Sequence, residues 1–164
     1  MPVQIPEKEK YKAAILYLLN KLGKIEGKKK AYKLFYFLDF DYFEAHDKPF
    51  TGEVYTALKM GPAPRFFDAV IEELQKEGAV VIEKEKKHPT HENKTVIYKP
   101  KAETGWIFSI QEKKMLDRVA KKYGAFTGKE LEDLSHAQAP FNAVALGEII
   151  PYEYAHYRDS DDLS

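Results

Sequence analysis

His88 and His91, followed by Glu92, come nearest in this chain to a metal-ligand cluster. A helical zinc site needs two histidines four residues apart on one face. Here they are three apart with Pro89 near the first, inside a polar stretch, so the segment reads as a solvated loop. Asp39 and Asp41 form an acidic pair, but residues two apart on a helix point in different directions and the carboxylates diverge. Ser135 and His136 are sequence neighbours, which is not how a nucleophile meets its base, and no third group orients the histidine. His46 and His156 stand alone. Gly23, Gly27 and Gly61 fit no phosphate-binding loop. The absence of cysteine excludes disulfides, Cys-ligated zinc, iron–sulfur clusters and thiol nucleophiles. These residues point away from an enzyme and imply no metal and no cofactor.

The elements that must position these side chains belong to a chain of 164 residues, the size of one domain. At 44% hydrophobic, 13% aromatic and 32% charged it can form a core of its own. Basic and acidic residues number 26 each, so the balance carries no basic excess for phosphate. No basic segment followed by an apolar stretch opens the chain, and the longest apolar run, 13–19, is far too short for a membrane helix. The expectation is a cytoplasmic protein with no membrane partner.

Pro6, Glu7 and Glu9 favour a helix start, and Tyr11, Ile15, Leu18, Leu19 and Leu22 form its apolar stripe up to Gly23. A second helix spans about 28–46. Its middle, 32–40, is apolar on nearly every face, which marks it as central and requires partners for Lys33, Asp39 and Asp41. Residues 47–49 read as a turn and 50–58 as extended or irregular. Residues 60–64 are rigid Gly-Pro punctuation before a third helix with Phe67, Val70, Ile71 and Leu74 inward and Gly78 as its stop. The β-branched runs 80–82 and 95–98 read as one hairpin with a long tip. Capping boxes at Ser109/Glu112 and Thr127/Glu130 open helices over 110–123 and 128–136. The fold class is α+β, mainly α, a compact helical domain round a central apolar helix with one β-hairpin. One domain covers 1–155, and the acidic end from 153 onward reads as frayed, with 156–164 as a flexible tail.

Helix, turn, helix and hairpin is also the order of a winged helix, so a DNA-binding regulator is the alternative. The helix that would enter the groove carries Arg65, Asp68, Glu72, Glu73, Lys76 and Glu77, which repel phosphate on balance. The stretch 21–33, with six lysines and one glutamate, is the single basic patch. A protein-binding module suits the many tyrosines, among them Tyr11, Tyr32, Tyr36, Tyr42, Tyr55 and Tyr98, although packing in the core accounts for such residues as well.

Three segments share one further pattern: 34–40, LFYFLDF; 48–53, KPFTGE; and 55–64, YTALKMGPAP. Together they resemble the signature of the Panacea domain, the SocA-like and GepA-like phage-associated antitoxins: an L-L-Y-x-A-D helix, a Gly-Pro turn, then an aromatic-Gly-Pro block. Leu134-Ser135-His136 with Pro140-Phe141 resembles the family's second landmark. Leu38, Asp47, Met60 and Phe141 depart from the usual residues while keeping their size or turn chemistry.

The resemblance implies an antitoxin of a toxin–antitoxin system that neutralises a cognate toxin, encoded by an adjacent gene, through direct stoichiometric contact. It implies no nucleic-acid partner and, with the family region filling 10–155, no separate DNA-binding domain. The motif positions are Tyr36, Asp39, Thr51, Gly52, Tyr55, Lys59, Gly61, Pro62, Ser135 and His136, either as toxin contacts or as scaffold. Within them Asp39, Lys59, Ser135 and His136 are expected to form a buried polar network, with Asp39 paired to Lys59 or His136.

Overall fold

The computed structural model describes residues 7–85 and 95–158. Helix α1 (Lys8–Leu22) buries Tyr11, Ile15, Leu18 and Leu19, and ends where Gly23 takes φ 85° and donates its N–H to the Leu19 carbonyl. A short strand β1 (Ile25–Glu26) leads into helix α2 (Lys28–His46). Every residue from Lys33 to Phe43 is buried, so the all-round apolar pattern does mark the central element. Hairpin β2 (Tyr55–Leu58) and β3 (Gly61–Pro64) follows, then helix α3 (Phe67–Lys76) with Phe67, Val70, Ile71 and Leu74 inward. Strands β4 (Val80–Glu85) and β5 (Thr95–Pro100) precede helices α4 (Ile110–Tyr123) and α5 (Gly128–His136). Both expected capping boxes are present: Ser109 accepts from the Glu112 N–H and Thr127 from the Glu130 N–H, and each glutamate returns the bond.

The mainly α, α+β architecture holds, with two small sheets instead of one hairpin. In one sheet β5 lies between β1 and β4, all antiparallel. In the other, β2 and β3 pair from Tyr55↔Pro64 to Leu58↔Gly61. Residues 60–64 are non-helical ahead of α3, as read from the sequence, and the second hairpin adds that 61–64 form a strand. Proline is tolerated there because β3 is an edge strand with no ladder partner on its far side among the described residues. The far side of β2 is covered by residues 147–150, where Gly147 N–H bonds the Ala57 carbonyl and Ile150 N–H the Tyr55 carbonyl. The tip between β4 and β5, with His88, His91 and Glu92, lies outside the described residues.

Helix α2 packs against α4, α5, β3 and a 3-10 helix at Tyr152–Tyr157, while α1 packs against α3, α4 and β5. That 3-10 helix corrects the frayed end expected from 153. Ala155 is fully buried and Arg158 inserts between Asp41 and Glu44, so the chain is held through residue 158. His156, expected to stand alone, lies 2.8 Å from Asp47 through Nε2. Among the described residues no helix is long and apolar enough to cross a membrane.

Candidate functional site

Asp39, midway along α2, has no exposed surface. Its Oδ1 accepts the Thr51 N–H at 2.5 Å, and its Oδ2 accepts the Thr51 hydroxyl and the Tyr55 hydroxyl, each at 2.6 Å. Burial pushes the carboxyl up to about 6, against the pull of these hydrogen bonds toward the ionised form. The expected pairing with Lys59 or His136 is therefore corrected. Lys59 is exposed on the hairpin turn, and the His136 ring stacks on Phe141 with centroids 4.6 Å apart. Hydroxyl and amide donors from the segment just after α2 reach Asp39 first, and they satisfy a buried carboxylate without bringing in a second charge.

Glu53 repeats the arrangement two residues beyond Thr51. It is fully buried, accepts the Tyr11 hydroxyl at 2.7 Å, and takes backbone N–H groups of Val54 and Phe66 at 2.8 and 3.0 Å. Burial raises its pKa, with Tyr11 and the two amides opposing. The Tyr152 hydroxyl donates to the Glu53 carbonyl oxygen. Two inward carboxylates thus fasten residues 50–54 and the root of the hairpin to α1, α2 and the 3-10 helix. Glu53 was absent from the expected set although the motif segment 48–53 ends on it; in the structure it shares the inward face with Thr51, Tyr55 and Ala57.

Lys33 closes the other side of the hairpin. Its ammonium donates to the Pro62 carbonyl at 3.0 Å, and burial pulls its pKa down to about 8. Gly61 sits directly above with φ 109°; a Cβ there would come within 2.5 Å of Lys33 Cε and 3.2 Å of Ser135 Oγ. Ser135 is itself buried and donates to the Glu132 carbonyl at 2.9 Å. Tyr36 packs its ring between Phe40 and Tyr55, with centroids 4.6 and 5.8 Å away, and Gly52 turns the chain with φ 79°.

Of the ten motif positions only Lys59 is exposed. The other nine shape the hairpin from beneath. What they present outward is apolar: Leu58, Met60 and Ile149 are 46%, 54% and 52% exposed, with Thr56 bridged to Ile149 on the same ribbon. Beside the hairpin lies a groove of about 610 Å³, lined by the first turns of α2, the hairpin and the start of β5.

The basic stretch 21–33 is internally occupied. Lys21 meets Asp117 at 3.6 Å, Lys24 Glu26 at 2.8 Å, Lys28 Asp68 at 3.5 Å and Lys29 Glu132 at 2.9 Å. Lys30 donates to the Gly124 carbonyl at 2.6 Å, and Lys33 is held as above.

No curated protein and no solved structure matches this sequence. Residues 32–141, two-thirds of the chain, match the family model described as antitoxin SocA-like, Panacea domain. The matched span runs from α2 through the inward-facing hairpin frame to Phe141, and on it the chain belongs to the SocA-like Panacea domain family of antitoxins.

Proposed function

We propose that this protein is the antitoxin half of a toxin–antitoxin pair and neutralises its cognate toxin by direct, stoichiometric protein–protein binding, without catalysis and without a cofactor. The observation that carries this reading is the antitoxin family match over residues 32–141. The geometry supports it. A hairpin tied down by Asp39, Glu53 and Lys33 presents Leu58, Met60 and Ile149 on a rigid frame, and apolar side chains held in place are the anchors that interface energetics favour. Five of the six lysines of 21–33 (Lys21, Lys24, Lys28, Lys29 and Lys30) are engaged by carboxylates or a carbonyl of this chain, and Lys33 is buried, which favours protein over nucleic acid as the partner, since phosphate contacts draw on cations available at the surface.

The test is growth of cells expressing the small adjacent gene alone and then together with this chain. Arrest that is relieved by co-expression, with the two proteins co-purifying at one-to-one stoichiometry, is the expected result. A harmless neighbour, or rescue without a complex, overturns it.

A further inference from the structure

The groove beside the hairpin contains charge that the motif network does not use. An ammonium has three N–H donors and no acceptor. Lys33 is 98% buried, and among the described residues its one hydrogen bond goes to the Pro62 carbonyl. Glu132, the carboxylate that acts on it electrostatically, is bonded to Lys29 at 2.9 Å. Lys59, on the hairpin turn, lines the same groove and has no carboxylate partner among the described residues. Lys28 and Lys29 line it too, and none of the lining residues among those described is acidic. The rest of the wall is largely apolar, with Leu58, Met60 and Tyr32 foremost. Gly61 contributes only backbone where a Cβ would stand 3.0 Å from Lys33 Nζ, so the ammonium stays close to the groove.

A buried cation whose nearby carboxylate is bonded to another lysine attracts an anion, and a groove of this volume holds a few side chains of a bound segment. We infer that the partner docks here through a segment carrying a carboxylate flanked by apolar side chains, the carboxylate over the Lys33–Lys59 end and the apolar groups on Leu58, Met60 and Tyr32. The identity of that partner as a toxin rests on the antitoxin reading; the chemistry of the groove does not.

Titration of the ¹⁵N-labelled full chain with the blocked peptide acetyl-Leu-Glu-Leu-Phe-amide, and with its glutamine counterpart, tests the groove without any toxin. Amide shifts at Lys29, Leu58, Lys59 and Gly61 are expected, with about tenfold tighter binding of the glutamate peptide. That preference falls below about twofold in Lys33→Met and in Lys59→Gln. Equal binding of the two peptides, shifts elsewhere, no saturation below about 5 mM, or a preference that survives both substitutions overturns the inference.

In a pair that passes the growth test, Lys59→Glu with Met60→Asp abolishes rescue while Ile107→Asp, on an exposed loop outside the groove, preserves it. Rescue retained by the groove variant overturns the docking position and leaves the antitoxin reading intact. A harmless neighbour overturns that reading and leaves the peptide titration to decide the groove.

Discussion

Arg158 Nη1 stands 2.7 Å from Asp41 Oδ1, with both side chains entirely shielded from solvent. Its Nη2 reaches Glu44 at 3.0 Å, and the other Asp41 oxygen takes Arg118 and the Tyr123 hydroxyl, each at 2.8 Å. Burial works against the guanidinium charge, but Asp41 and Glu44 more than offset it and hold its pKa above the ordinary value. One carboxylate on the central helix therefore ties α4 and the last described residue to α2.

Arg158→Ala leaves Asp41 short of its closest cation in a dry site and is expected to cost about 3–5 kcal/mol of unfolding free energy. Arg158→Lys keeps the charge but loses the two-pronged geometry, at about 1–2 kcal/mol. Urea midpoints at unchanged m-value check both, and a midpoint for Arg158→Ala equal to wild type contradicts the role assigned to the pair.

Asp39→Asn replaces one carboxylate oxygen with an amide NH₂ that opposes the donor or donors bonded there, the Thr51 N–H at Oδ1 or the two hydroxyls at Oδ2, and is expected to cost about 2–3 kcal/mol at pH 7. The folded carboxyl keeps its proton up to about pH 6, whereas the unfolded one releases it near 3.8. The folded state binds more protons across that window, so this group makes stability fall as pH rises from about 4 to 6 and adds no slope above. The wild-type-minus-variant stability, from urea melts at four pH values, carries that slope; a flat difference refutes it.

Lys33→Met removes a buried charge and nearly keeps its shape. Burial lowers the lysine to about 8 from an ordinary 10.5, so the unfolded chain holds the proton over a range where the folded one has lost it. Wild-type stability therefore rises with pH between those values, and the variant lacks the rise. At pH 7 the variant is expected to match wild type or exceed it by about 1–3 kcal/mol. Thermal melts at pH 7 and 10 decide.

Gly61→Ala imposes a side chain on a residue at φ 109° and drives its Cβ to 2.5 Å from Lys33 Cε. The expected loss is about 1–3 kcal/mol. Adding Lys33→Ala relieves the contact and leaves the dihedral strain, so the double variant recovers part of the loss. Full recovery means the backbone angle costs nothing, contrary to this account.

The helices were legible because each carries its own period and punctuation: the stripe and Gly23 of α1, the capping boxes of α4 and α5, the unbroken apolar run of α2. The β2–β3 hairpin was hidden by inversion. The lead-in to β2 buries the polar Thr51 and Glu53 in line with Tyr55 and Ala57, so the alternation of burial is strict while the alternation of hydrophobicity is not, and Gly-Pro-Ala-Pro has little intrinsic strand preference. Strand β1, two residues long, depends on pairing with Tyr98 and Ile97 far along the chain. The need of Lys33, Asp39 and Asp41 for partners was readable from their neighbours. Which partners was not, since Arg118, Arg158 and the Pro62 carbonyl meet α2 only after the chain has folded back.

The ribbon that carries Leu58 and Met60 is completed by residues 147–150 and locked at its root by Tyr152. Its cover and its lock therefore come from residues far beyond it in the sequence. A nascent chain that has emerged as far as α5 already contains the hairpin, yet lacks the segment that covers β2 and the hydroxyl that holds Glu53. The exposed edge of Leu58 and Met60 thus reaches its final form only once residues 147–152 have been made.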